Sequence, residues 1–184
     1  ALWLLLAALC LVAVVLAGTR QRVADLQINA HTLVTPQDLR AMAWIREHTP
    51  ADARFLVNSF PAYGGTLVVG SDAGWWMPLL AGRANSVPPL NYGTERGPVP
   101  DYVQQVNQLT HELERLDLDS PEVVRMLCER GFTHVYIGQQ QGRVNYGGPH
   151  VLSAEEMLRS PSYSPIYQQD NVVILEISCD LEER

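Results

Sequence analysis

The stretch with the most chemical character is Gly70-Ser71-Asp72-Ala73-Gly74, followed at once by Trp75 and Trp76. Its outline resembles a nucleophile elbow, but that turn needs Gly-x-Ser-x-Gly, with the serine lifted at the centre of a strained strand-to-helix bend. Here Ser71 follows the glycine directly. A phosphate-binding loop is excluded too, because no Gly-Lys-Ser/Thr follows to bring a lysine to phosphates and a hydroxyl to magnesium. Two readings remain. Asp72 caps the N–H groups of a helical turn after a strand, or it marks a polar ligand site at the carboxyl end of a strand, the usual position in open α/β sheets. Adjacent tryptophans point to opposite faces of a strand and diverge by about 100 degrees on a helix, so one of the pair is expected outside the core. Aromatic rings near polar side chains suit stacking on a sugar ring, or a membrane interface, where Trp and Tyr are enriched. We therefore take Asp72, Trp75, Trp76, Arg83, Asn91, Tyr92 and Glu95 as candidate binding residues. Packing of both tryptophans beneath the loop at 88–100 is the competing reading.

Other reactive residue types form no set. His111-Glu112 lacks the second histidine of a zinc-protease helix, and no Cys-x-x-Cys or Cys/His cluster is present for a metal. His134 alternates with Val135 and Tyr136 as a strand residue, and His31, His48 and His150 are solitary. The acidic pairs Glu112/Glu114 and Glu155/Glu156 read as solvated helix faces rather than a catalytic dyad. No catalytic residue, metal ligand or cofactor is expected. Cys10 lies inside an apolar run as a small hydrophobe, while Cys128 reads as the buried side of a helix and Cys179 as the end of a strand. We read these last two as unpaired thiols, since sequence supplies no Cα separation to support a bridge. With 13 basic against 20 acidic residues and a formal charge of −7, the chain has no basic footprint for phosphates. Nucleic acid is excluded as a partner.

The elements that hold these groups begin with an apolar run, Ala1 to Ala17, without a charged side chain. Leucine, valine and alanine cover every face, whereas a helix on a soluble core needs a polar one. Its length suits a lipid bilayer, so a transmembrane helix is expected at 1–18, a connector at 19–33 and a soluble domain at 34–184. The rival is a signal peptide, whose apolar core is usually about 7–15 residues with small residues at its cleavage site. Arg20 and Arg22 beside the run point to a cytoplasmic flank by the positive-inside rule. The chain begins at Ala1 without methionine, and we read the run as the last span of a larger protein.

In the soluble part, Thr35-Pro36-Gln37-Asp38 is a helix start, with Thr35 as cap and Pro36 at the first helical position. That helix runs to His48, where Thr49-Pro50 ends it. Strands are expected at 54–58, 66–70, 85–87 and 133–138, and helices at 101–116, from 121 to Gly131, and after Ser153. The runs 164–168 and 172–177 form a hairpin. The fold class is α/β: an N-terminal transmembrane helix, then one soluble domain with a mixed, mostly parallel sheet covered by helices and a C-terminal β-hairpin.

Several stretches together resemble the soluble C-terminal domains of bacterial polytopic membrane glycosyltransferases of the GT-C, mannosyltransferase-like type. They are Trp44 to Glu47 with Thr49 to Val57, then Gly131 to Ile137, and the ending Tyr163 to Ile177. In that family the catalytic carboxylates lie in an early extracytoplasmic loop upstream of the last span, and none of them is in this chain. The resemblance implies a non-catalytic domain outside the cytoplasm, at the cell membrane, positioning a lipid-linked sugar or glycan acceptor. It conflicts with Arg20 and Arg22, and we side with the resemblance. The alternative is a single-span or secreted binding module for a cell-envelope polymer or a partner protein.

Overall fold

Residues 1–25, 31–149 and 151–179 are described by a computed structural model. The chain divides into two units, Ala1–Thr32 and Leu33–Arg184. The first holds helix α1, Leu2–Asp25, which continues through Gly18, Arg20 and Arg22. Part of the stretch expected as connector is therefore helical, and 26–30 lie outside the described residues. Within it Leu2–Val23 is 22 residues long; its most apolar 18 residues have a mean hydropathy of 2.6, and none of them is buried against protein. At helical rise this is about 33 Å, enough to cross the hydrocarbon of a bilayer.

The second unit is built on a five-stranded sheet in the order β4-β1-β5-β7-β6. These strands are β1 (Arg54–Val57), β4 (Ala84–Asn85), β5 (His134–Ile137), β6 (Tyr163–Gln169) and β7 (Val172–Ile177). β1 runs parallel to both β4 and β5, and β7 runs antiparallel to β5 and β6. Because side chains alternate along a strand, the register sorts them into rows. Val57, Tyr136, Ile174 and Tyr167 lie in one row, and Leu56, Val135 and Leu175 in the next. The two rows feed two apolar layers on opposite faces.

Helix α2 (Pro36–His48) covers the first face with Ala41, Met42 and Ile45. Its start is as expected, a capping box between Thr35 and Asp38 with Pro36 in the first turn. Further on, helix α3 (Met77–Leu80) packs Met77 into the same layer. Helix α4 (Tyr102–Leu113) straddles the layers, placing Val106 in the first and Leu109 and Leu113 in the second. Helix α5 (Pro121–Glu129) covers the second face with Val123, Val124 and Leu127, and short helix α6 (Ala154–Met157) adds Met157. Gly131, at φ 78, turns the chain out of α5 toward β5 in the left-handed conformation that glycine tolerates.

Two local outcomes differ from the sequence reading. The strand expected at 66–70 is β3 (Leu67–Gly70), but it pairs outside the main sheet with β2 (Ser59–Ala62) in an antiparallel hairpin. Pro61 lacks an N–H, which is tolerated in a two-stranded ribbon with open edges. The strand expected at 85–87 shortens to Ala84–Asn85, and the Val57 N–H donates to Ser86 Oγ instead of to another strand carbonyl.

The cysteine reading is corrected as well. Cys128 and Cys179 form a disulfide with a Cα separation of 5.6 Å. Helix α5 lies on the sheet face, and Ile177 at the end of β7 donates its N–H to the Thr133 carbonyl just before β5. That pairing brings the chain beyond β7 back to the last turn of α5.

Candidate functional site

Asp72 lies where the carboxyl ends of β1 and β5 open, the position that holds ligands in open α/β sheets. Asn58 follows β1 there, and Gly138 follows β5. Asp72 is fully buried and spends both oxygens on backbone: Oδ1 accepts from Gly74 N–H at 2.9 Å, and Oδ2 from Gly138 N–H at 3.0 Å. The first bond caps the helical turn Ala73–Trp76, as the capping reading expects. Burial opposes ionisation and raises its pKa from 3.8 to about 7, against the two N–H donors, which pull it down.

A second buried carboxylate, Asp38, meets it across the same loop. Asp38 Oδ2 accepts from the Thr35 N–H at 2.8 Å and the Thr35 hydroxyl at 2.6 Å. Its Oδ1 accepts from the Tyr136 hydroxyl at 2.8 Å and the Gln139 N–H at 2.9 Å. Consecutive backbone N–H groups, Gly138 and Gln139, are thus divided between the two carboxylates. A Cβ at position 138 would come within 3.0 Å of Asp38 Oδ1 and 3.3 Å of Asp72 Cβ, so a side chain there would have to push the two carboxyl groups back by a few tenths of an ångström. Burial and the facing carboxylates push the Tyr136 hydroxyl well above its usual value, which keeps it a proton donor. Beside this clasp, Asn58 imitates a strand partner, giving Nδ2–H to the Leu152 carbonyl and taking the Leu152 N–H on Oδ1. At this strand end the oxygens of Asp38 and Asp72 and the amide of Asn58 all have partners within the chain.

The remaining sequence candidates separate into two kinds. Trp75 is half-buried against the first layer and donates Nε1–H to the Pro88 carbonyl at 2.9 Å, whereas Trp76 is 45% exposed. Tyr92 is buried, with its hydroxyl taking the Val68 N–H at 2.7 Å. Arg83 caps the end of α2, donating Nη2–H to the carbonyls of Arg46 and Thr49 at 3.0 and 2.8 Å. Asn91 and Glu95 are exposed in the irregular loop, where the Asn91 carbonyl accepts the Glu95 N–H. Asp72, Trp75, Arg83 and Tyr92 are therefore committed to internal bonds, while Trp76, Asn91 and Glu95 face solvent.

A cavity of ligand size lies near the opposite, amino-terminal ends of β1 and β5. It holds about 380 Å³ and is lined by Arg54, Ser86, Tyr102, Gln105, Arg130 and Phe132, among others. Arg54 opens β1, Arg130 and Phe132 come from the turn between α5 and β5, and Tyr102 and Gln105 come from α4. The Arg54 guanidinium sits 4.6 Å from the Phe132 ring centroid and donates Nη1–H to the Arg130 carbonyl at 3.0 Å. Arg130 is neutralised by Glu112 at 2.7 Å. Sequence reasoning missed this cleft, because each arginine appears there only as the polar edge of an element. No cluster of three or more metal-capable side chains occurs among the described residues. No protein family, curated protein or solved structure matches this chain.

Proposed function

We propose that the chain is a membrane-tethered, extracytoplasmic α/β domain of a glycosyltransferase-like envelope protein, which positions a glycan acceptor and leaves chemistry to residues elsewhere. The observation that carries this reading is a disulfide-bonded domain following a helix long and apolar enough to cross a bilayer. Disulfides persist in oxidising compartments and are reduced in the cytosol. Arg20 and Arg22 argue for a cytoplasmic flank. The charge rule compares both flanks of a span, so two residues on one side weigh less than a covalent bridge. The glycan part draws on the sequence resemblance and on a cleft that offers hydrogen-bonding side chains in a volume suited to a small ligand. Asp38 and Asp72 serve the fold in this account, since their oxygens are filled by internal donors.

The test is to trap thiols with a permeant alkylating reagent in cells making the full-length protein, then compare mobility with and without reductant. An oxidised Cys128–Cys179 pair is expected. Two free thiols in the folded protein contradict the proposed address.

A further inference from the structure

We propose that the Arg54 cleft is a binding site for an acidic saccharide, a hydroxyl-rich ligand carrying one carboxylate. The charge balance of the walls sets the anion. Arg130 is already paired with Glu112, whereas Arg54 has no carboxylate within ion-pair distance among the described residues. Of the two guanidiniums that line the cleft, the exposed one of Arg54 is left without a carboxylate. A single planar fork matches a single carboxylate, and a dianionic phosphate would ask for a second cation that Glu112 has claimed.

The neutral lining sets the rest of the ligand. The Tyr102 hydroxyl has no hydrogen-bond partner among the described residues. Gln105 gives Nε2–H to the Pro100 carbonyl and Gln108 gives Nε2–H to Glu112, which leaves both amide oxygens as open acceptors. Acceptors beside a cation fit a ligand that donates hydroxyl protons as well as accepting a charge-assisted bond. Val106 and Leu109 line the apolar side of the cleft, while the Phe132 ring is covered by the Arg54 guanidinium. The volume of about 380 Å³ is at the small end of ligand sites.

This ligand assignment deepens the glycan reading above and rests on it, yet binding by the purified protein does not depend on membrane sidedness. The full chain in detergent is titrated by calorimetry with cellobiouronate, a disaccharide with one carboxylate, with neutral cellobiose and inorganic phosphate as comparators. Cellobiouronate is expected to bind at least about tenfold more tightly than either, the worth of one charge-assisted bond to a carboxylate. Arg54→Gln is expected to remove that preference. Because Arg54 also stacks on Phe132, Tyr102→Phe and Gln105→Ala are measured alongside; each is expected to weaken cellobiouronate severalfold while thermal unfolding stays unchanged. Equal binding of cellobiose, tight binding of phosphate alone, or an undiminished cellobiouronate affinity in Tyr102→Phe and Gln105→Ala overturns the proposal. Oxidised thiols in cells with no cellobiouronate binding sink this assignment alone, and binding with reduced thiols sinks the extracytoplasmic address alone.

Discussion

Replacing Cys128 and Cys179 together by serine tests how the disulfide acts on the fold. The bridge closes a loop of sequence separation 51 that contains β5, β6 and β7, three of the five strands of the main sheet. Opening a loop of that length restores chain entropy to the unfolded state worth about 4 kcal/mol. Cys128 is half-buried and Cys179 exposed, so serine at either position opens no large cavity, and the loss is almost wholly that entropy. For a unit of this size the unfolding midpoint is expected to fall by about 8–16 °C. The assay is thermal and urea unfolding of 33–184, oxidised wild type against the double serine variant, followed by fluorescence of Trp44, Trp75 and Trp76. The chemically reduced wild type should superimpose on the variant. A stability difference below about 1 kcal/mol would refute the reasoning, because it would mean that the unfolded chain keeps the two ends together without the bridge.

The buried Asp72 should make stability depend on pH. Its folded pKa of about 7 stands above the unfolded 3.8, so its contribution is fully present below about pH 4 and is lost as pH rises through about 7. Urea midpoints from pH 4 to 8 should show a decline to which this group adds up to about 4 kcal/mol, and Asp72→Asn should flatten it; parallel profiles in the two proteins would remove Asp72 as the cause. The adjacent tryptophans should part company. Trp75→Ala should cost about 3–5 kcal/mol through lost packing and the lost bond to Pro88, and Trp76→Ala less than about 1 kcal/mol, measured by urea unfolding. Equal losses would contradict their opposite placement. Tyr136→Phe should cost about 1–3 kcal/mol by taking one donor from the buried Asp38, and an unchanged midpoint would show that the clasp does not need it.

Much of the fold is legible in local signals. Thr35-Pro36-Gln37-Asp38 marks the start of α2, the spacing of Val106, Leu109 and Leu113 marks α4, and Gln169-Asp170-Asn171 marks the last hairpin, whose turn puts Asp170 at φ 56. Strand β2 is obscured because Ser59-Phe60-Pro61-Ala62 carries a proline and no clean alternation. The site is less legible, for a physical reason. Asp38 looks like a residue serving its own helix start, and half of its bonding does so, but the other half reaches Tyr136 and Gln139, 98 and 101 residues away. The disulfide and the meeting of Arg54 with Arg130 are likewise products of sheet order, which brings β1, β5 and β7 together only in three dimensions. The place of Asp72 after a strand makes its capping bond to Gly74 legible, whereas its bond to Gly138, 66 residues away, is not.

The claim on which the functional account depends most is the side of the membrane that the domain occupies. Glu95 is exposed, and Glu95→Cys in the full-length protein, with Cys10→Ser to remove the free thiol of α1, places one reactive probe on the surface. The account predicts modification by a membrane-impermeant maleimide in intact cells, at the same extent before and after permeabilisation. Labelling that appears only after permeabilisation would contradict it.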